Sequence, residues 1–225
     1  MEGIEKIFNP KKTIFLGMDD QGRIQGRGRF FGELKPEELP TIKSTYLSGF
    51  KKKNLIELVD LFPNLVELTI EKTSNLVSLE GVNLLLGLRA ITIEDCPKLM
   101  DLSALISCTQ LAKVNLEAFK NQAKVLDYIS PKTLKDLSLH GNLIDLEKVI
   151  NFQELEYLSL NGHDCNIASL PTLPKVAKNF NLRGFPNLTN ASFMENFNAN
   201  MRITWWGPKP IEGIPEQLKD FKTFL

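Results

Sequence analysis

Acidic side chains recur at a fixed interval along the first half of this chain: Glu71, Glu94 and Glu117 are spaced by 23 residues, with Glu67, Asp95 and Asp136 close by. Catalysis by such carboxylates would need a partner that titrates near neutrality and a positioned nucleophile. His140 near Asp136 supplies the residue types of an acid-base pair, but no nucleophile accompanies it. His163-Asp164-Cys165 has the types of a Cys-His nucleophile or of a zinc site, which needs three or four converging ligands. Adjacent residues on a turn do not converge, and Cys165 falls on an inward position, so the triplet reads as structural. Gly26-Arg-Gly-Arg-Phe-Phe-Gly32 has the spacing of neither G-x-G-x-x-G nor a Walker loop, and no Lys-Ser/Thr follows. Its alternating Arg23, Arg27 and Arg29 suit an edge strand kept soluble by charge. The expectation is a protein with no catalytic residue, no metal site and no cofactor, whose acidic row meets a basic surface on a protein partner.

The elements that must position this row are set by a second regularity. Ile42, Leu65, Leu88, Leu111 and Leu134 head the same short pattern every 23 residues, and Leu155 and Ala177 follow at 21 and 22. Apolar residues stand at +3 and +5 from each head, as in Leu65-x-x-Leu68-x-Ile70 and Leu88-x-x-Ile91-x-Ile93. A spacing of two is a strand signal. Positions +3 and +5 then point into a core, while +2, +4 and +6 lie on the open face. That face collects the candidate partner-binding residues: Glu67, Lys113, Asp136 and Tyr157 at +2, Tyr46 and Asn115 at +4, and Glu71, Glu94, Glu117 and His140 at +6. Towards its far end Asn179, Asn181, Arg183 and Arg202 make it neutral to basic. Like charges one strand spacing apart repel by somewhat under ~1 kcal/mol per pair in water, which folding does not ask for. A solvated face with Lys72 and Lys113 compensating locally is the plain alternative.

After each strand the chain turns away, at Thr73-Ser-Asn-Leu76, Cys96-Pro-Lys-Leu99 and Phe185-Pro-Asn-Leu188. The return limb is apolar at intervals near three, as in Leu76, Leu79, Val82 and Leu85, which predicts a tight helical or irregular limb. Better helices are expected at 121–129 and 145–152, the latter with Asp145 as N-cap. This pattern resembles the leucine-rich repeat family, L-x-x-L-x-L-x-x-N/C-x-L, over residues 42–204. The resemblance implies an α/β right-handed solenoid of about seven coils, with a parallel concave β-sheet, helical or irregular convex limbs and capped ends. Thr73, Phe119, His163 and Phe185 replace the family's Asn/Cys, so its internal hydrogen-bond ladder should be discontinuous. Thr45 replaces an aliphatic residue in the first coil, and beyond Leu182 the register fades to Met201 and Ile203.

Residues 1–41 lack the repeat and read as a β-hairpin cap, with a turn cluster at Asp19-Asp-Gln-Gly22. Such a cap covers the unpaired backbone at the end of a stack. Residues 205–225 read as the C-terminal cap, beginning at Trp205-Trp206, of which one should point inward and one outward, and ending in a short helix from Pro215.

Composition bounds the rest. With 43% hydrophobic residues among 225 and no Gly/Ser or Pro-rich linker, the chain reads as one elongated domain. Its 27 basic and 27 acidic residues cancel, so no global charge draws it to nucleic acid or to a membrane. Lacking an apolar run of about 20 residues and a secretory-type start, it is expected to be cytoplasmic and monomeric. Cys96, Cys108 and Cys165, odd in number and inward, agree with reduced thiols. The predicted role is a non-catalytic protein-binding module. The family resemblance spans receptors, inhibitors, regulators and effectors. A short form rich in Lys, Asn and Ile looks bacterial and suggests an immunity or inhibitor protein neutralising a toxin; a regulatory or scaffold subunit of an endogenous enzyme is the alternative.

Overall fold

The apolar alternation behind each head becomes a five-residue strand. In a computed structural model of the chain, which describes residues 14–18, 24–30, 35–117, 124–143, 145–162, 165–198, 200–206 and 212–218, these strands fall into two compact units. Unit one comprises Met1–Leu111, Glu117–Asn121 and Asp127–Ser130; unit two comprises Ala112–Leu116, Gln122–Leu126 and Pro131–Leu225. The fold is α/β, dominated by parallel strands with few helices. No helix among the described residues is long and apolar enough to cross a membrane.

In unit one, β1 (Ile14–Met18) and β2 (Ile24–Phe30) pair antiparallel, and β1 also pairs antiparallel with β3 (Ser44–Ser48). β3 is followed in parallel register by β4 (Glu67–Glu71) and β5 (Ala90–Glu94), giving the order β5-β4-β3-β1-β2. Thr45, Leu68 and Ile91 stand side by side, as do Leu47, Ile70 and Ile93, and all six are buried. The hairpin occupies the edge of β3 that would otherwise offer free backbone groups to another strand.

In unit two, β7 (Asp136–His140), β8 (Tyr157–Asn161), β9 (Asn179–Arg183) and β10 (Arg202–Trp206) run parallel in continuous register. β6 (Lys113–Glu117), whose residues up to Leu116 belong to this unit, neighbours β7, and the N–H groups of Lys135 and Asp136 both reach the Ala112 carbonyl. The same double bond recurs one repeat on, from Glu156 and Tyr157 to Lys135.

Three local expectations are corrected. The register does not fade beyond Leu182: Ile203 and Trp205 line up beside Phe180 and Leu182 on β9, so the boundary expected between 204 and 205 falls inside β10. Aromatic residues fill the core here, with Phe180 4.9 Å from Phe197 edge-on and Phe193 stacked at 6.1 Å on Trp205, so a leucine pattern does not detect it. Ala177 is exposed and Val176 is buried in its place, because the irregular path through 165–176 delivers the inward residue one position early.

The third correction concerns the better helices expected at 121–129 and 145–152. α1 (Ile56–Leu61) is the only α-helix among the described residues; the other limbs are 3-10 turns such as Val82–Leu84, Ser103–Ser107 and Leu146–Asn151. Of the helix expected at 121–129 only a 3-10 turn at Val125–Tyr128 is described, residues 121–123 and Phe119 lying outside the described set. Asp145 precedes its turn in a left-handed conformation (φ 57°) and makes no side-chain cap bond. The sequence carries the reason: Leu146, Val149 and Phe152, like Leu76, Leu79, Val82 and Leu85, recur every third residue, which is the 3-10 period and not 3.6.

Five strands are followed by a residue that swings the chain away with positive φ, at Gly49 (69°), Lys72 (52°), Asp95 (51°), Gly141 (128°) and Gly184 (75°). Side-chain bonds then tie one repeat to the next, from Asn64 to the Pro40 carbonyl (2.9 Å), Ser78 to Asp101 (2.9 Å) and Asn196 to the Leu173 carbonyl (2.8 Å).

Candidate recognition surface

The residues that alternate with the core form an exposed sheet face in each unit. In unit one its three rows are Ser44-Glu67-Ala90, Tyr46-Thr69-Thr92 and Ser48-Glu71-Glu94, each set by strand register. Glu71 and Glu94 are therefore direct neighbours on adjacent parallel strands, and both are half-buried. Lys72 turns back onto Glu71 in an ion pair, and this hydrogen bond is the first cause of its raised pKa. Ser44 donates to Glu67 at 3.4 Å. A shallow recess of about 320 Å³, lined by Lys72, Ser74, Asp95 and Pro97, opens beside the end of the acidic row. The local compensation by Lys72 leaves the row weaker than its sequence suggests, though the carboxylates still outnumber the cation.

In unit two the rows are Asp136-Tyr157-Asn179-Arg202, Ser138-Ser159-Asn181-Thr204 and His140-Asn161-Arg183-Trp206. Lys113 and Asn115 lie on β6, and Glu117 closes that strand. The Asp136 carboxylate faces Lys113 at 3.5 Å. His140 sits four residues further along the same strand, about 13 Å at the strand rise, so Asp136 and His140 do not pair directly. Lys178 lies 5.5 Å above the Tyr157 ring while pairing with Glu156, which raises its own pKa and lowers that of Glu156. Trp205 is buried and Trp206 is 54% exposed, as strand alternation demands. The Arg183 guanidinium lies 6.0 Å from the Trp206 ring centre.

The sequence candidates are thus distributed, with Tyr46, Glu67, Glu71 and Glu94 on the face of unit one and Lys113, Asn115, Asp136, His140 and Tyr157 on that of unit two. Arg183, Arg202 and Trp206 share this face although none is among the sequence candidates. The signal was available: the period-two alternation continues through Ile203 and Trp205.

Of the triplet His163-Asp164-Cys165, the first two lie outside the described residues; Cys165 is buried and accepts the Leu143 N–H at 3.0 Å. Among the described residues no group of three or more His, Cys, Asp or Glu could hold a metal ion. Within the glycine-arginine segment, 26–30 belongs to β2, and 31–32 lies outside the described residues.

The two unit-one thiols give a pH prediction. Burial pushes Cys96 and Cys108 up to about 11, from 9.0 for a free thiol. A folded pKa above the unfolded one stabilises the fold fully below the unfolded value, and that contribution is lost as pH rises through the folded value. Stability should therefore fall between pH 9.0 and about 11, and a Cys96→Ala/Cys108→Ala variant should show a shallower alkaline fall in its urea midpoint. An identical slope in the variant would remove the thiols from the account.

No protein-family model matches the chain, and no curated protein matches it at significant similarity.

Proposed function

We propose that the chain is a leucine-rich-repeat-like solenoid, capped at 1–41 and beyond β10, acting as a cytoplasmic, monomeric protein-binding module without catalytic activity. Its Glu67, Glu71 and Glu94 face takes a basic surface on a protein partner. One observation carries this reading: Glu71 and Glu94 are register partners. Like charges placed opposite each other weaken a sheet, so folding alone gains nothing from the pair. A basic partner converts the same repulsion into attraction and steers its own approach. A toxin with a basic nucleic-acid groove has the required chemistry, as does an endogenous enzyme under regulation.

The test is a quantitative pull-down from the source cells, comparing the native chain with Glu71→Lys/Glu94→Lys. The partner retained by the native protein should be lost, with affinity reduced at least about tenfold and its salt dependence weakened. At these half-buried positions the exchange replaces one like-charge pair by another and loses the Lys72–Glu71 ion pair, so the melting temperature should be unchanged or slightly lowered. Unchanged retention of every partner by the folded variant would sink the proposal.

A further inference from the structure

We propose that the exposed face of β8, β9 and β10 is a second and separate binding site, for an acidic segment of a protein, in which Arg183 and Arg202 receive carboxylates and Trp206 is the apolar anchor. The face is set apart by what it lacks. None of the outward positions on these three strands holds a carboxylate; the two charged ones are both arginines, among amides, hydroxyls, Tyr157 and Trp206. Elsewhere in unit two the lysines Lys113, Lys135, Lys148 and Lys178 each face an acid of the chain. Arg183 and Arg202, both exposed, face no carboxylate among the described residues. Two guanidinium groups are thus presented with no acid of the described residues against them, and guanidinium is the group that binds carboxylate in a bidentate fork.

Arrangement narrows the ligand. Arg183 is held over Trp206, so its side chain loses less freedom on binding, and the indole remains 54% exposed. Tryptophan and arginine are the residue types that dominate interface energetics. Arg202 opens β10 and Arg183 closes β9, so they lie about 13 Å apart along the strand direction and one strand spacing, about 4.8 Å, across it. An extended segment with acids at i and i+4 spans that interval, and an apolar side chain beside the second acid meets Trp206. A single-stranded nucleic acid fits less well. It needs a line of cations and open aromatic faces, whereas the outward positions of these strands hold only two cations, and both Tyr157 and Trp206 already have a cation against one face.

The experiment is fluorescence anisotropy on the full chain at low salt, with a labelled peptide carrying Glu at every fourth position among Leu and Ser. Controls are the same peptide with Lys for Glu and a labelled oligouridine. Saturable binding of the Glu peptide alone is expected. Arg183→Gln/Arg202→Gln should weaken it at least about tenfold, and Trp206→Ala about tenfold. Arg183→Lys should retain part of the affinity, which a purely structural role for this side chain does not predict. Glu71→Lys/Glu94→Lys should leave the peptide affinity unchanged, so the site stands or falls separately from the acidic face of unit one. No saturable binding, equal binding of the Lys peptide, preference for the oligouridine, or full affinity in the folded double-Gln variant would each overturn it.

Discussion

Replacing Gly81 by Ala should lower the stability of the chain by about 3 kcal/mol, one of the largest effects of any single methyl group in the molecule. Two independent costs meet at this position. Its backbone lies at φ 104°, ψ −33°, a conformation that residues with a Cβ rarely adopt. A Cβ placed there would also sit 2.7 Å from the Ile56 nitrogen and 2.8 Å from the Leu55 carbonyl carbon. Both are backbone atoms where α1 begins, so neither can swing aside as a long side chain could. The approach is held closed by the Leu55 N–H donating to the Glu80 carbonyl at 2.8 Å. Gly87 provides the control within the same unit, since a Cβ there meets nothing within 4 Å and its φ is ordinary. Gly87→Ala should be neutral or stabilising by up to about 1 kcal/mol through the unfolded chain. Urea unfolding of the two variants decides the matter, and equal midpoints would show that the repeats do not approach as closely as described.

Gly81 also shows where the sequence stops being informative. Which residues face the core could be read from Leu65, Leu68 and Ile70 and their counterparts, because period-two burial imposes a periodicity that any reader can count. The same counting placed Glu71 opposite Glu94, since a constant 23-residue interval fixes parallel register. Requirements set by one repeat on the backbone of another leave no such trace. Nothing near Gly81 distinguishes it from Gly87 without coordinates. Limb type was half legible: apolar residues every third position indicate a tight limb, 3-10 in geometry, but give no ground for the fuller helix expected at 145–152. The turn after each strand was legible in principle from Gly49, Gly141 and Gly184, and was obscured where Lys72 and Asp95 take the same left-handed conformation. For the candidate surface, alternation identified the face, whereas ion pairing required side-chain positions. Asp136 choosing Lys113 over His140 follows from which side chain stands beside it on the next strand.

The last strand offers the second large effect. Trp205→Ala should cost about 3–5 kcal/mol, because the indole is 2% exposed and stacks at 6.1 Å and 14° on Phe193, itself 6.1 Å from Phe180. Trp205→Phe should cost much less, about 1 kcal/mol, even though it removes ring area. The indole Nε1–H is buried without a hydrogen-bond partner among the described residues. An unsatisfied buried donor costs about 1–3 kcal/mol, so deleting it offsets most of the lost packing. Trp206→Ala, at a 54% exposed position of the same strand, should change stability by less than about 0.5 kcal/mol. The order of the three variants reports strand register directly, since a slip of one residue exchanges the roles of Trp205 and Trp206. Thermal unfolding that ranks Trp206→Ala as the most damaging of the three would place β10 on the wrong face, and with it both the aromatic core of unit two and the presentation of Trp206 beside Arg183.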